Sequence, residues 1–269
     1  MTDPYPTLPQ IDRLVHPPIG FCMYCDSTEG LTSEHIVPYG LGGRIELPDS
    51  TCPRCAKITS KIELKLLRGQ FWRARVVTGT QSRSKHSSAP THTSVVLERA
   101  GVPTKLDLPR DDAPAIISFP YFSPPRLATQ ETAPGISVSG NVAINYGKDP
   151  AEIAKEHGAT GILFRDETQP YLFAQLLAKI ALGMAYATGA IAELKEVSPL
   201  RGLILGTDNR IGDYIGSMTD ELSAHPGQIH RVAIFVDDRT GYLVADIQLF
   251  SQSMSPRYAV VIGSTKGAT

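Results

Sequence analysis

Four cysteines form two short pairs near the beginning of the 269-residue chain. Cys22 pairs with Cys25 and Cys52 with Cys55; each pair encloses two residues, and 26 residues separate the pairs. A turn of this length directs two thiolates at one point, and four thiolates complete the tetrahedral shell of a structural zinc ion. Redox-active pairs are the alternative, but no thioredoxin-like βαβ pattern surrounds either pair. The spacing therefore predicts a closed zinc site, so chemistry on a substrate needs other residues.

An acidic residue and a histidine stand side by side between the cysteine pairs, in the stretch 31–38, which reads LTSEHIVP. A histidine such as His35 can activate water as a general base, and the carboxylate of Glu34 suits a hard divalent cation. Pro38 stops a strand at this point. Because neighbouring residues of a strand face opposite ways, the chain must bend if both serve one site. A structural role for His35, capping a loop or pairing with Glu34, is the alternative.

The LTSEHIVP stretch, the Leu-Gly-Gly that follows it and the bracketing cysteine pairs resemble the HNH endonuclease family, whose catalytic unit is a ββα-metal module. The resemblance covers residues 20–68 approximately. It implies hydrolysis of phosphodiester bonds in DNA, with RNA not excluded. By this resemblance His35 is the general base, and Glu34 is a ligand of a catalytic Mg²⁺ or Mn²⁺ ion that offsets charge on the scissile phosphate.

Two positions depart from the family pattern. Ala56 stands where many members have Asn or His, and the segment 47–51, which reads LPDST, replaces the middle Asn. A ligand of the catalytic ion is therefore missing. Glu63, two turns along the expected helix, is the candidate replacement, or else it is a solitary acid paired with Lys61 or Lys65.

Positive charge is concentrated just after the second cysteine pair. Residues 1–110 carry 14 Lys and Arg against 10 Asp and Glu, whereas residues 111–269 carry 12 against 17. Such a tract suits phosphate neutralisation, with a solvated helix face as the alternative. The predicted nucleic-acid-binding residues are Arg54, Lys57, Lys61, Lys65, Arg68, Arg73 and Arg75.

Three other residues of interest have structural interpretations. Trp72, the only tryptophan, lies in the basic tract and either stacks on a base or packs under the zinc module, and packing is the preferred interpretation. His225 and His230 have no cluster of carboxylates beside them, which indicates surface or strand-end positions rather than metal ligands.

The elements that position these residues follow from hydrophobic spacing. Residues 54–68 lack Pro and Gly and predict a helix that Pro53 begins and Gly69 ends. A second helix is expected within residues 171–193. Short strands are expected at 161–164, 203–205, 231–236, 242–250 and 258–262, with a hairpin turn at 237–241.

The predicted fold class is α+β, with a small zinc-stapled ββα-metal module followed by a larger α+β domain. Residues 1–20 are expected to be an extended lead-in and residues 21–77 the zinc module. A linker and irregular Pro-rich region follows over 78–135, and an α+β domain of open role over 136–269.

Composition limits the function classes. With 42% hydrophobic residues the chain can bury a core. An uncharged apolar run of about 18 residues would predict a membrane span, and the sequence contains no such run. No signal peptide is recognisable, so the cytoplasm is the expected compartment. The leading prediction is an endonuclease with structural zinc. Its rivals are a degenerate module that binds nucleic acid without cutting it and an effector nuclease that is regulated through the C-terminal half. The C-terminal half is also a candidate for homo-oligomer contacts.

Overall fold

The structure is a computed structural model that describes residues 12–77, 91–128, 132–164, 168–197, 199–218, 223–225 and 227–266. Residues 78–90, the first part of the predicted linker and irregular region, lie outside the described residues, as do residues 1–11 of the predicted lead-in.

The N-terminal region is a three-stranded sheet followed by two helices. Its elements are β1 (Leu14–Val15), β2 (Thr32–His35), β3 (Ile45–Thr51), α1 (Pro53–Arg68) and α2 (Trp72–Val77). β3 is the central strand, antiparallel to β2 and parallel to β1. Part of the predicted lead-in is therefore a strand of the sheet. Strand, strand and helix follow one another in the ββα order that the resemblance implied.

The long helix α1 begins and ends at the predicted residues. Pro53 occupies its first turn, where the missing N–H costs no helical hydrogen bond, and the Gly69 N–H donates to Lys65 O at 2.9 Å. The buried side of the helix carries Cys55, Thr59, Ile62 and Leu66, which follow helical spacing.

Two hairpins follow, built from β4 (His92–Arg99), β5 (Val102–Pro109), β6 (Ile116–Phe122) and β7 (Val138–Asn145). β4 pairs with β5, and β6 pairs with β7, both antiparallel. The expectation of a linker and irregular region over 78–135 is therefore wrong for β4, β5 and β6, and β6 contains Pro120. A proline is tolerated there because the described chain pairs β6 along one edge only, with β7.

A small satellite unit and the central helix come next: α3 (Pro150–Glu156), β8 (Gly161–Leu163) and α4 (Pro170–Ala187). β8 pairs with β4, so this sheet has the order β5-β4-β8, and α3 packs on it over a minor apolar core. The strand expected at 161–164 and the helix expected within 171–193 are both confirmed, the helix ending at Ala187.

The expected strand at 203–205 is wrong. After the short strand β9 (Glu196–Val197), the chain forms the helix α5 (Leu200–Leu205). Leu200, Leu203 and Ile204 are buried at helical spacing, and Gly206 ends the helix with a φ of 77°. A run of apolar residues this short is compatible with either periodicity, and packing against α4 decides it.

The chain ends in an antiparallel sheet. Its strands β10 (Ile215–Ser217), β11 (His230–Val236), β12 (Tyr242–Leu249) and β13 (Arg257–Ser264) follow the helix α6 (Ile211–Tyr214). The order is β10-β13-β12-β11, with β9 also paired to β13. The predicted hairpin is confirmed: the Gly241 N–H donates to Asp237 O at 2.6 Å between β11 and β12.

One apolar core joins the N-terminal region to the C-terminal sheet. It includes Tyr24 and Leu66 from the N-terminal region, Phe173 from α4, and Ile247 and Tyr258 from the sheet. Helix α4 lies at its centre and packs against α1 and the sheet. The fold is α+β as predicted, and this core joins the two units that the sequence separated, the zinc module at 21–77 and the α+β domain at 136–269. No helix in the described ranges is long and apolar enough to cross a membrane.

Candidate metal centre and basic helix face

The four cysteines come from two turns that flank the hairpin of β2 and β3. The first turn is closed by the Cys22 N–H, which donates to Ser27 O at 2.7 Å. In the second, Cys52 caps α1 and Cys55 lies in the first helical turn, where the Ala56 N–H donates to Cys52 O at 2.9 Å. Both cysteine pairs are therefore held by backbone hydrogen bonds.

The four sulfur atoms converge as the spacing predicted. All lie within 4.8 Å of one another, and Cys25 Sγ is 3.6 Å from Cys52 Sγ. A zinc ion bonded at about 2.3 Å to four sulfurs in a tetrahedron requires sulfurs about 3.8 Å apart. None of the four forms a disulfide. The donor set and its dimensions fit a closed tetrahedral metal site such as one for zinc.

The thiols influence one another strongly. Burial raises the pKa of Cys22 and of Cys55. Burial also acts to raise the pKa of Cys52, but a hydrogen bond from the Cys55 backbone and bonds from the neighbouring thiols outweigh it and lower the value to about 7. A crowded set of thiols cannot all ionise without a cation among them. A divalent metal would supply that charge.

A second cluster, the acid–lysine cluster, contains Glu34, Glu63 and Lys179. The Lys179 ammonium of α4 lies 2.6 Å from Glu34 Oε1 on β2 and 2.7 Å from Glu63 Oε1 on α1. It also donates to the backbone oxygen of His35 at 2.7 Å. Lys179 is only 2% exposed. All three hydrogens of the ammonium therefore have acceptors inside the protein.

The cluster is tightly satisfied. The hydroxyl of Thr51 donates to the second carboxylate oxygen of Glu34 at 3.1 Å. Burial alone would lower the pKa of Lys179, but the charges of Glu34 and Glu63 outweigh it, so the pKa is raised above its ordinary value. Tyr24 is close enough for its pKa to be raised well above the usual range, by burial first and then by the two carboxylates. Lys179 therefore stays protonated at neutral pH.

The two predicted ligands of the catalytic ion are brought together, but around an ammonium. Mg²⁺ would need oxygen ligands at about 2.0 to 2.1 Å in octahedral geometry. Instead, the facing carboxylate oxygens of Glu34 and Glu63 contact Lys179 Nζ. Glu63 is thus neither exposed beside Lys61 nor paired with Lys65, the alternative that the sequence suggested.

The side chain of His35 faces a different partner. Its Nε2 lies 3.2 Å from Glu46 Oε1, directly across the hairpin, and its ring meets the ring of Tyr39 edge to face. Glu46 also accepts two bonds from Arg13, at 2.9 and 2.7 Å. Glu34 and His35 therefore point to different partners, as alternation along a strand requires. The His35 side chain is 10% exposed, which leaves little of it to solvent.

The exposed side of α1 carries the basic face, defined here as five side chains spaced three or four residues apart. At 3.6 residues per turn this spacing places all five on one stripe. All five are exposed, and none has an ion pair within the described part of the chain. They are Arg54, Lys57, Lys61, Lys65 and Arg68.

The two other predicted phosphate-binding residues are placed differently. Arg75 donates to Gly40 O at 2.9 Å and to Leu67 O at 3.1 Å, so its guanidinium holds α2 against the end of α1. Arg73 stacks over the ring of Phe164 with 5.7 Å to the ring centroid. Both guanidinium groups have contacts within the fold, in contrast to the basic face.

Two residues to which the sequence assigned no partner tie the C-terminal half to the N-terminal region. Lys179 is one. The other is His230, whose Nε2 lies 2.8 Å from Leu41 O while its Nδ1 accepts from the Phe250 N–H at 3.1 Å. Burial lowers the pKa of His230 to about 4, so the ring is neutral at pH 7. The strand-end position expected for His230 is confirmed, and the residue is partly buried there.

No family model, curated protein or solved structure matches this chain.

Proposed function

We propose that this chain is a zinc-stabilised nucleic-acid-binding protein whose ββα module, a non-cleaving variant of the HNH type, binds phosphates through the basic face of α1. The observation that carries the proposal is the row of five exposed cations without ion-pair partners in the described chain, next to the cysteine cluster. DNA is the proposed partner, and RNA offers the same phosphates.

The spacing of the basic face supports binding along a phosphate backbone. From Arg54 to Arg68 the helix rises about 21 Å, and neighbouring cations are about 4.5 to 6 Å apart along its axis. A nucleic-acid strand presents one negative charge per ~3.4 Å of duplex axis. Regular cations on a rigid helix therefore meet several successive phosphates, which favours backbone contacts with little sequence preference.

The acid–lysine cluster supports binding without cleavage. A catalytic ion between Glu34 and Glu63 would have to displace the ammonium of Lys179, which is covalently part of the central helix. Helix α4 cannot withdraw as a unit, because Phe173, Leu177 and Ile180 are fully buried in the main core. Only the side chain of Lys179 can move, and such a movement would break its contacts with Glu34, Glu63 and the backbone oxygen of His35.

The second candidate is the metal-dependent endonuclease that the resemblance implied. It is favoured by the contact of His35 Nε2 with Glu46 at 3.2 Å, because a carboxylate that orients an imidazole is a frequent arrangement for general bases. In this candidate Glu34 and Glu63 would release Lys179 and bind Mg²⁺ or Mn²⁺. His35→Ala should then abolish cleavage but retain zinc and DNA binding.

The binding test uses a labelled oligonucleotide and a triple variant in which Lys57, Lys61 and Lys65 are changed to Gln. Loss of three phosphate contacts should reduce the slope of log K against log salt by about 2 to 3 and weaken all sequences alike. The matched control changes Lys105, Lys155 and Lys195, which are exposed elsewhere, to Gln. Equal effects of the two triple variants would contradict the basic face as the binding surface.

The cleavage test incubates the purified protein with plasmid in Mg²⁺, Mn²⁺ or EDTA beside His35→Ala. The proposal expects no metal-dependent cleavage by the parent. Cleavage that requires the metal and disappears in His35→Ala would replace the binding proposal with the endonuclease.

A further inference from the structure

The only tryptophan of the chain lies exposed at the end of the basic face. Trp72 is 40% exposed, whereas its neighbour Phe71 is fully buried. The exposed Trp72 is therefore not buried under the zinc module, the interpretation that the sequence favoured. An indole that keeps this much surface in solvent has an apolar ring available for stacking.

The segment around Trp72 is rigidly anchored. The Phe71 ring packs against Phe119, Phe173 and Phe250, with centroids 6.1, 6.0 and 5.9 Å away. The Trp72 N–H donates to Gly69 O at 2.9 Å in the turn that follows α1. Together with the hydrogen bond from Arg75 to Leu67 O at the end of α1, these contacts fix the backbone of Trp72 relative to α1.

Trp72 follows Arg68, the last member of the basic face, by four residues across this short turn. A surface that begins with a row of cations and ends with a fixed aromatic ring matches two parts of a nucleic-acid strand. The cations meet phosphates, and the ring meets the flat face of a base. In a duplex the bases are stacked in the interior, so an indole beside the backbone finds no free base.

We propose that the basic face and Trp72 form one surface for single-stranded nucleic acid, with phosphates on the cations and an unpaired base stacked on the indole. This inference rests on the proposed binding function and adds a strand preference to it. The single strand is favoured over a protein partner because the charge on this surface has one sign along the whole of α1.

The test uses the fluorescence of Trp72, which reports on this position alone because the chain has no other tryptophan. The full chain is titrated with a single strand of about 12 nucleotides, with a duplex of the same length, and with tripolyphosphate as a charge-only control. The expected result is quenching by the single strand, with much weaker quenching by the duplex and by tripolyphosphate.

Two variants make the result specific. Trp72→Ala should weaken single-strand binding, followed by anisotropy of a labelled strand, by about 5- to 150-fold, which corresponds to the loss of one stacked base. Duplex binding should be unchanged. Trp72→Phe keeps an aromatic face and should retain most of the affinity, and thermal melting of both variants shows whether folding is intact.

Four results would overturn the inference or its basis. If Trp72→Ala melts like the parent and binds single strands equally well, or if the duplex binds as tightly as the single strand, the stacking proposal fails and backbone binding stands. If neither nucleic acid binds the parent, the proposed function itself fails. If Trp72→Phe loses as much affinity as Trp72→Ala with folding intact, a stacked base is the wrong account of the indole.

Discussion

The cysteine cluster and the acid–lysine cluster both include residues of α1, and each gathers groups that can carry negative charge. Cys55 and Glu63 are two turns apart on that helix. The four thiols have no cation of their own within the described residues and fit an external metal. The two carboxylates already hold an ammonium, Lys179, from a helix far away in the chain.

This difference separates two uses of a cation. A metal bound by the cysteines of two short turns would be acquired locally, before any distant packing, and its binding energy would become folding energy. A lysine inside the core can neutralise its acids only when α4 is in place. A metal at the first site would therefore stabilise the N-terminal region locally, whereas the acid–lysine cluster joins that region to the C-terminal half.

The largest effect is expected from the thiols. Cys52→Ser removes one ligand and should lower zinc content and abolish cooperative melting of the N-terminal region, because structural zinc contributes on the order of 10 kcal/mol. Metal analysis and thermal melting measure this. Ser60→Ala, on the exposed side of the same helix, is the control. Less than about half an equivalent of zinc bound to the parent protein would contradict the prediction of structural zinc at the four cysteines.

The next largest effect is expected from Lys179, the cation that the fold itself places between the two carboxylates. Lys179→Met leaves two partly buried carboxylates without a counter-ion and should cost up to about 3 to 5 kcal/mol in the free energy of unfolding measured with urea, the upper end applying to a fully buried charge. Adding Glu34→Gln and Glu63→Gln to this variant should restore part of the loss, because neutral groups of similar volume are tolerated in a core.

Divalent ions sharpen the same experiment. Mg²⁺ or Mn²⁺ should raise the melting temperature of Lys179→Met, in which the two carboxylates are free to bind an ion, and leave that of the parent unchanged. An equal rise in both proteins would show that the ion binds elsewhere, or that it displaces Lys179, and the contrast between the two clusters would be lost.

A smaller effect is expected from His230, a partly buried group that needs no counter-ion because it stays neutral. The folded pKa of His230 is about 4, and the unfolded value is near 6.5. Between these values only the unfolded chain binds the proton, so this contribution to stability is complete above pH 6.5 and is lost as the pH falls toward 4.

The expected loss from His230 is about 2 kcal/mol between pH 7 and pH 5. Urea unfolding at the two pH values measures it. His230→Gln should flatten the pH dependence by about this amount, whereas His92→Gln on an exposed strand end should leave the parent profile as it is. An unchanged profile in His230→Gln would mean that the ring ionises freely in the folded state.

The smallest effect concerns one hydrogen bond of the acid–lysine cluster. Thr51→Val removes the hydroxyl that donates to Glu34 and should cost about 1 kcal/mol in unfolding free energy, because Lys179 still neutralises the carboxylate. Thr51→Ser keeps the donor and serves as the control. A loss as large as that of Lys179→Met would mean that the hydroxyl matters as much as the charge.

Local spacing explains what could be predicted from the sequence. The four cysteines, the ends of α1 and the hairpin between β11 and β12 depend on residues that are near one another in the chain. The stripe of α1 from Arg54 to Arg68 was likewise predictable, because helical period alone places these residues together.

The acid–lysine cluster was not predictable, because it depends on long-range packing. Lys179 is a single charge within an apolar stretch, and its partners Glu34 and Glu63 lie 145 and 116 residues earlier. A lone lysine on an apolar helix does indicate that a buried counter-ion is required, but not which one. The pairing of His35 with Glu46 depends on the register of β2 against β3, which the loop between them sets.

The distance between Glu63 and Lys179 also has a consequence for synthesis. A ribosome that adds about 5 to 20 residues per second completes Glu63 some 6 to 23 seconds before it reaches Lys179. Both acids of the ββα module therefore emerge well before their internal counter-ion exists. During that interval Glu34 and Glu63 lack the ammonium that neutralises them in the complete fold, so the negative charge of the two acids must stay in contact with solvent until α4 is made.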